Sequence, residues 1–299
     1  MSGAHSHISG KQSTRIFLLA IGLNVLIVAG EALAGFIGNS TALLADAGHN
    51  LSDILSLVLA GGAMWLARRP ATPRRTYGFR RATILASLTN ALLLILVSGA
   101  LAYAGIVHIL APVRVEENLV IAVAAIAVVG NSFTAMLFMK GQKHDLNLRG
   151  AFLHMAADAA VSLGVVFAGV GILVTGWNWL DPALSLVIVL AILWSTWGLL
   201  RESFNLSLDA VPGGIDTRAV ENYLCTLPGV DGVHHLHVWA TSTTETALTA
   251  HLVKPDGKLD DALLREIDRN LHERFDIGHA AIQLETGGHG NSCDTASRH

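Results

Sequence analysis

The sequence predicts an all-α membrane domain, a six-helix transmembrane bundle, followed by a C-terminal α+β domain of the ferredoxin-like class. Of the 299 residues, 52% are hydrophobic and 14% are charged, and the mean hydropathy is +0.50. Soluble domains carry about 25% charged residues, so this composition indicates a polytopic membrane protein. Residues 204–299 differ, because they hold 14 acidic and seven basic residues. An acidic, soluble domain is therefore predicted to follow the membrane domain.

Six apolar segments make up the predicted membrane domain, and each is close to the length of about 20 residues that crosses a bilayer. They cover residues 15–37, 41–67, 82–107, 118–139, 148–175 and 182–200. The connections after the second and fourth segments are rich in Arg and Lys, whereas the opposite connections contain only Arg114. By the positive-inside rule, both termini are cytoplasmic. The first segment is long enough to span, so we predict no cleavable signal peptide.

The domain boundaries follow from these changes in composition. Residues 1–14 are polar and are predicted to form a cytoplasmic arm, 15–203 the transmembrane domain, 204–286 the cytoplasmic domain, and 287–299 a flexible tail. Within 204–286, periodicity predicts a helix over 215–227, strands over 233–240 and 246–253, a helix over 259–275, and a strand over 280–285. This order is compatible with a ferredoxin-like sheet packed on one side by its helices.

Two His–Asp pairs lie inside the apolar segments, and they are the strongest functional signal in the chain. His49 is followed four positions later by Asp53, and His154 by Asp158. Residues four apart lie on one face of a helix. Ionisable groups within a membrane are costly and mark functional sites by default. Two imidazoles and two carboxylates suit a tetrahedral Zn2+, although two unrelated polar pairs inside a bundle would give the same pattern.

Other polar side chains also lie within the first, second and fifth segments. Asn24 and Glu31 belong to the first segment and Asp46 to the second. We therefore predict that these three helices line a polar cavity. Asp46 precedes His49 by one turn, so it could support a ligand or receive the incoming ion. For Glu31, a functional role and a structural hydrogen bond are equally compatible with the sequence.

Several motifs resemble those of the cation diffusion facilitator family, in its zinc-transporting branch. The similarity covers nearly the whole chain. It is carried by Ala45-Asp46-Ala47-Gly48-His49 with Asp53, Tyr77-Gly78-Phe79-Arg80-Arg81-Ala82, Asn147-Leu148-Arg149-Gly150-Ala151-Phe152-Leu153-His154 with Asp158, Asp181-Pro182, and His235-Leu236-His237-Val238-Trp239. One such His–Asp spacing alone is a weak signal, whereas two in helices two and five are specific.

The resemblance implies a homodimer in the bacterial inner membrane that exports Zn2+ from the cytoplasm in exchange for protons. His49, Asp53, His154 and Asp158 match the family's transport-site positions, and His at the first position is expected to favour zinc over manganese or iron. Ligand chemistry also permits Cd2+ or Co2+. The lipid bilayer and a second copy of the chain are the implied partners, and no nucleic acid is expected.

The chain departs from the family in three places. Thr83 stands where relatives often have Glu, and residues 74–80 lack the acidic and His ligands of one bacterial subgroup, so no metal site is predicted there. The loop at 141–144 is short and contains one His, which favours a bacterial protein. The resemblance also predicts a charge contact between Arg81 and Asp209.

A second metal site is predicted in the cytoplasmic domain by the same resemblance. Alignment places His234, His251 and Asp261 at ligand positions, with Gln283 in place of His and Glu285 in place of Asp. A Gln amide is a poor zinc ligand, so the expected site is a reduced one. It comprises His234, His251 and Glu285, with a further ligand from His237, His279 or Cys293. Alternatively, these His residues make hydrogen bonds within strands or an interface.

The two cysteines, Cys225 and Cys293, are too few for a disulfide framework and favour a reducing compartment. Two other functions compete with transport. An intramembrane metalloenzyme is disfavoured, because the sequence contains no HExxH and both site carboxylates are assigned as ligands. A membrane-bound zinc sensor would bind zinc without moving it.

Overall fold

The computed structural model describes residues 10–139, 146–256, 261–287 and 291–293, with side chains described from residue 21 onward except 146–148 and 291–292. Six long helices come first. They are α1 (Gly10–Ile37), α2 (Thr41–Ala67), α3 (Ala82–Leu110), α4 (Glu117–Met139), α5 (Leu146–Thr175) and α6 (Leu180–Ser207). Residues 1–9 of the predicted arm and the loop at 141–144 lie outside the described residues.

Five of these helices, α2 to α6, are long and apolar enough to cross a membrane. The described apolar part of α1 is shorter, Ile21–Ile37. The largest differences from the sequence expectation are at two helix ends. Helix α1 begins at Gly10, within the predicted arm, and α6 continues to Ser207, so the predicted domain boundary at 203 falls inside a helix. The extension of α6 buries Ser203 and Leu206, which explains why it stays helical beyond the apolar run.

The chain divides into two structural units. The first contains residues 1–58 and 90–197, and the second contains 59–89 and 198–299. In the first unit, α4 packs along both α1 and α5. Its core includes fully buried Leu43, Val120 and Val165. Small residues such as Ala42 and Ala45 on α2 are also fully buried there, which lets the backbones of neighbouring helices approach closely.

The start of α2 is held by a carboxylate from another helix. Asp181, in the first turn of α6, is 1% exposed. Its Oδ2 accepts hydrogen bonds from the backbone N–H groups of Thr41 (2.6 Å) and Ala42 (3.2 Å) and from Thr41 Oγ1 (2.8 Å), and its Oδ1 accepts from Ser40 Oγ. The first N–H groups of a helix have no partner within the helix. Asp181 accepts hydrogen bonds from two of these N–H groups and thereby fixes the position of α2.

The second unit contains a small sheet domain. Its elements are α7 (Thr217–Cys225), β1 (Gly232–Ala240), β2 (Thr246–Val253), α8 (Asp261–Phe275), β3 (His279–Glu285) and β4 (Asn291–Ser292). The strand order is β3-β2-β1-β4, with β2 and β3 parallel and the other pairs antiparallel. Both helices contribute to one core, for example through Val220, Leu224, Ile267 and Leu271.

This topology corrects the ferredoxin-like expectation in one respect. A ferredoxin-like chain runs β-α-β-β-α-β, and in its split units another strand separates the two parallel strands. The described residues of this domain begin with α7 rather than a strand, so β3 pairs directly with β2. The two-residue strand β4 lies within the predicted flexible tail and pairs with β1.

The ends of three long helices belong to this second unit. Arg81 and Asp209 form an ion pair, which confirms the predicted contact. Arg80 Nη1 lies 2.5 Å from Glu245 Oε2, and Thr83 Oγ1 accepts a hydrogen bond from the Thr243 N–H at 3.0 Å. Thr83, where relatives often have Glu, is therefore part of the contact between the helix ends and the sheet domain.

The two cysteines are paired in the structure, which the sequence did not predict. Cys225, the last residue of α7, and Cys293, directly after β4, form a disulfide bond. The two cysteines are 68 residues apart, and no local pattern indicates that they pair. They meet because β4 pairs with the edge of β1, which brings Cys293 next to the end of α7. Cys293 is therefore not a free thiolate that could bind a metal.

Candidate metal centre

The two His–Asp pairs of α2 and α5 converge on one point within the first unit. His49 Nε2 lies 4.0 Å from Asp53 Oδ2 and 3.8 Å from Asp158 Oδ1. His154 Nε2 lies 3.4 Å from Asp53 Oδ2 and 3.7 Å from Asp158 Oδ2. Each imidazole thus contacts the carboxylate of its own helix and that of the other helix. The two rings are 6.3 Å apart, with an interplanar angle of 77°.

The His–Asp separations can be compared with those of a tetrahedral zinc site. Zinc binds nitrogen and oxygen at about 2.0–2.2 Å, which places neighbouring ligand atoms of a tetrahedron about 3.3–3.6 Å apart. The four His–Asp distances, 3.4–4.0 Å, lie at or slightly above this range. A small inward movement of four side chains would close the shell.

The carboxylates of this group lack hydrogen bonds that would satisfy them. Asp158 is 1% exposed. In the described part of the chain, both of its oxygens and Oδ2 of Asp53 are buried without a hydrogen-bond partner of ordinary geometry. Buried carboxylates are normally hydrogen-bonded, paired or bound to a cation. These oxygens are therefore available to bind a cation or a proton.

A cavity of about 120 Å³ adjoins the group and is lined by Asn24, Asp53 and His154. Apolar side chains such as Ile21 and Met155 form the rest of its wall. Helices α1, α2 and α5 all contribute to this cavity, as expected, and Phe138 of α4 adds to its wall, but its accessible surface is almost entirely apolar rather than polar as predicted. The side chains of His49 and His154 are 28% and 41% exposed, so the protein does not fully bury either imidazole.

A second buried polar group lies beside the first. Asp46 on α2 accepts hydrogen bonds from Ser162 Oγ of α5 (2.8 Å) and from Asn50 Nδ2 (3.4 Å). Glu31 of α1 faces Asp46 and Asn50. All four residues are fully buried. This group therefore links α1, α2 and α5 next to the convergent His–Asp pairs.

In the sheet domain, His234, His251 and Glu285 come together on three neighbouring strands. His234 on β1 is directly opposite His251 on β2, and Glu285 ends β3. His234 Nε2 lies 3.1 Å from Glu285 Oε2, and His251 Nδ1 lies 2.8 Å from Glu285 Oε1. One ligand atom from each residue lies within 4.8 Å of the others. The strand register therefore brings these three side chains together.

The charge of Glu285 is stabilised by its neighbours. Partial burial opposes ionisation, but hydrogen bonds from His251 and His234 outweigh it and lower the pKa of Glu285 below its ordinary value of 4.5. Gln283 Nε2 donates a further hydrogen bond to Glu285 Oε1 at 2.9 Å. Gln283 is thus placed to hold the Glu285 carboxylate.

The other candidates are not among the three residues whose ligand atoms come together. His279 packs its ring against Tyr77, with 6.1 Å between centroids, and Asp261 is exposed at the start of α8. The ring of His237 is 6.3 Å from that of His235. Sequence reasoning missed His235, whose ring lies 5.0 Å from that of His234 and 5.1 Å from that of His251.

The backbone explains why His235 joins its neighbours. A β-bulge interrupts the register between His234 and His237, and His235 has φ of +50°, an uncommon value for a residue with a Cβ. Without the bulge, consecutive residues of a strand point to opposite faces. Two adjacent His residues in a strand were the available signal, but strand alternation argued against their use in one site.

Comparison with known proteins identifies the family. Residues 17–206 match the cation efflux transmembrane domain, and residues 212–287 match the cytoplasmic domain of cation efflux proteins. The chain belongs to the cation efflux family. Members of this family are membrane transporters rather than enzymes. The boundary between the two matches, 206 to 212, agrees with the end of α6 at Ser207.

Relatives of this cation efflux protein align along nearly their whole length. The metal cation efflux system protein CzcD of Cupriavidus metallidurans is 34% identical over 286 residues, covering 95% of this chain and 90% of the relative. The zinc transporter ZitB of Escherichia coli is 35% identical over 291 residues, covering 95% and 93%. The cadmium, cobalt and zinc/H(+)-K(+) antiporter of Bacillus subtilis is 33% identical over 290 residues, with the same coverage.

Proposed function

We propose that this protein exports Zn2+, and also Cd2+ or Co2+, from the cytoplasm in exchange for protons. The transport site is formed by His49, Asp53, His154 and Asp158, which become exposed to either side of the membrane in turn. The observation that carries the proposal is the convergence of these side chains from α2 and α5, with His–Asp distances of 3.4–4.0 Å. Zinc, cadmium and cobalt in the names of the relatives support this choice of cargo.

The chemistry of the ligands supports coupling to protons. Zn2+ binds neutral imidazole and ionised carboxylate, so metal and protons compete for the same four side chains. Imidazole has an ordinary pKa of about 6.5, close to physiological pH. Zinc loaded from the cytoplasm displaces protons, and protons from the outer solution displace zinc. The empty site returns with part of its negative charge neutralised, because a bare carboxylate pair is costly in a membrane.

The proposed orientation has six spans, α1 to α6, and cytoplasmic termini. Six Arg residues in 68–81 lie between α2 and α3, and Arg201 lies on the same side by topology, as the positive-inside rule requires. The protein acts as a homodimer through its sheet domain. This is supported by the match of residues 212–287 to a family whose label denotes a dimer domain.

A second Zn2+ binds to the sheet domain through His234, His251 and Glu285. Their ligand atoms are already within 4.8 Å of one another. Two imidazoles and one carboxylate leave a fourth tetrahedral position, and the ring of His235 lies close enough to reach it by rotation. This site is not part of the transport path. It senses cytoplasmic zinc and stabilises the domain.

Zinc flux into proteoliposomes containing the full-length protein tests the transport site. The variant His154→Ala should lose more than about 100-fold of the zinc-driven proton flux, since even outer partners of metal ligands are worth about 10–100-fold. The matched control is His108→Ala, in the last turn of α3, which should retain flux. Full activity of His154→Ala would contradict the assignment. Zinc binding without flux in the wild-type protein would favour the sensor.

A further inference from the structure

Glu31 on α1 and Asp46 on α2 form a carboxyl pair that the transport site does not use. Both side chains are 0% exposed. Asp46 accepts hydrogen bonds from Ser162 and Asn50, at 2.8 and 3.4 Å. Glu31 faces Asp46 and Asn50. Within the described part of the chain, neither Glu31 oxygen has a hydrogen-bond partner of ordinary geometry. A fully buried, unsatisfied carboxyl therefore points at a second carboxyl.

Such a contact is stable only with a bound positive charge. Ionised carboxylates are acceptors only, so two of them in contact repel each other and make no hydrogen bond. Two carboxyls that share a site cannot both ionise without a large cost. The described side chains of α1 and α2 include no Lys or Arg. The other titratable groups within electrostatic reach are Asp158 on α5 and His49 on α2.

We propose that Glu31 and Asp46 together bind one exchangeable proton and form a proton site separate from the metal ligands. The proton is carried by Glu31, which donates a hydrogen bond to Asp46. Asp46 is the acceptor because Ser162 and Asn50 already stabilise its negative charge. Binding forms one O–H bond on Glu31, and release returns H+ to water. The inference rests on the proposed exchange of metal for protons, and it gives the exchanged proton a binding site.

The position of the pair couples it to the metal site. Asp46 precedes His49 by three residues on α2, and Ser162 follows Asp158 by four residues on α5. A divalent ion among the four transport residues repels a proton at the pair, and its departure leaves negative charge that attracts one. By linkage, each ion lowers the affinity for the other by the same factor. Rigid helices then carry both sites through the same movement.

A metal ion fits the pair less well than a proton does. Hard cations take six or more oxygen ligands in flexible shells, whereas the pair offers two carboxyls, one amide and one hydroxyl from Glu31, Asp46, Asn50 and Ser162. Two of the Asp46 contacts are also made already. The absence of an imidazole among these four disfavours zinc. A potassium ion is tested directly below.

Infrared difference spectroscopy on the full-length, metal-free protein in nanodiscs detects the proton without any transport. At neutral pH, the wild type should show the carbonyl band of a protonated carboxylic acid, and Glu31→Gln should lose it. Glu116→Gln, which alters an exposed acid just before α4, is the matched control and should retain it. An unchanged band in Glu31→Gln would overturn the proposal. Because no flux is measured, failure of the transport assignment would not alter this result.

Proton release on zinc binding, followed with a pH dye, tests the coupling. Glu31→Gln should bind zinc but release about one fewer proton per zinc than the wild type, and Asp46→Asn should behave alike. Glu31→Asp should restore the release. If all of these proteins released the same number of protons per zinc, the coupling would be contradicted. A zinc affinity that depends on K+ rather than on pH would also contradict it. If Glu31→Gln does not fold, the number of protons released per zinc in Asp46→Asn decides the question.

Discussion

The membrane group of four and the cytoplasmic group of three use the same residue types but differ in how they are satisfied. Asp158 has two buried oxygens without hydrogen bonds in the described part of the chain. Glu285 instead accepts hydrogen bonds from His234, His251 and Gln283. The first group is therefore unstable without a cation, whereas the second is a stable arrangement with or without metal.

The difference in satisfaction matches the two roles that we propose. A carrier must release its ion on one side and then accept either protons or another ion, so an unsatisfied site drives each step. A sensor must also be well folded when its ion is absent. The internal hydrogen bonds of Glu285 provide that, and they also compete with metal. We therefore expect weaker zinc binding at the cytoplasmic group than at the membrane group.

The largest expected effect separates the two sites in one assay. Asp158→Asn should reduce zinc flux by more than about 100-fold, because an amide replaces one of four ligands in a dry site. Glu285→Gln should change flux by less than about 10-fold while removing one bound zinc per chain. Zinc flux in proteoliposomes and metal content by mass spectrometry measure both. Equal losses of zinc flux in the two variants would contradict the assignment of one site to transport and the other to sensing.

The next effect concerns how the membrane site is held. Asp181→Ala removes the acceptor of four hydrogen bonds at the start of α2. Each buried donor left without a partner costs about 1–3 kcal/mol, so thermal stability in detergent should fall clearly. Asp181→Asn retains one acceptor oxygen and should fall less. Flux per folded molecule should also decrease, because α2 carries His49 and Asp53. Unchanged stability in Asp181→Ala would show that water replaces this cap.

The sequence singled out the four membrane residues because the spacing within each pair is local. Four residues of a helix return to the same face, so His49 with Asp53 and His154 with Asp158 were pairs before any fold was known. Only the meeting of α2 and α5 required tertiary structure. The ends of α2 were also predicted, since apolar composition changes sharply at Thr41 and Ala67.

The remaining features depend on long-range pairing that local patterns do not contain. His234, His251 and Glu285 meet through strand register, and only the resemblance to a family had placed them together. The bulge at His235, the bond from Cys225 to Cys293 and the cap from Asp181 had no local signal. Helix α6 extends to Ser207 because tertiary burial of Leu206 outweighs the loss of apolar composition.

A smaller effect is expected from acid on the cytoplasmic group. The pKa of Glu285 lies below 4.5 in the folded domain, so the unfolded chain binds its proton more readily. The stabilisation is therefore complete above pH 4.5 and is lost as pH falls through the folded value. Hydrogen exchange of β1 to β3 in the metal-free protein, corrected for its intrinsic pH dependence, should show this loss. Glu285→Gln should flatten the response, whereas Glu273→Gln, an exposed control on α8, should not.

The smallest expected effect is that of the ion pair between Arg81 and Asp209. Their side chains are 53% and 52% exposed, and pairs of that kind are worth at most about 1 kcal/mol. A double-mutant cycle of Arg81→Ala and Asp209→Ala, read from stability in detergent, should give a coupling within that limit. The coupling should decrease in high salt, which screens exposed charges. The pair Arg80 and Glu245, with similar exposure, provides the matched cycle.

A larger coupling energy between Arg81 and Asp209 would change the interpretation of how the sheet domain dimerises. Exposed pairs are weak because water and salt screen them, and only removal from water makes breaking them cost about 3–5 kcal/mol. A coupling of that size, insensitive to salt, would therefore mean that a second copy of the chain covers Arg81 and Asp209. The helix ends would then belong to the dimer interface, and zinc at His234, His251 and Glu285 could bias the membrane helices through it. A weak, salt-sensitive coupling leaves the sheet domain to dimerise by other surfaces.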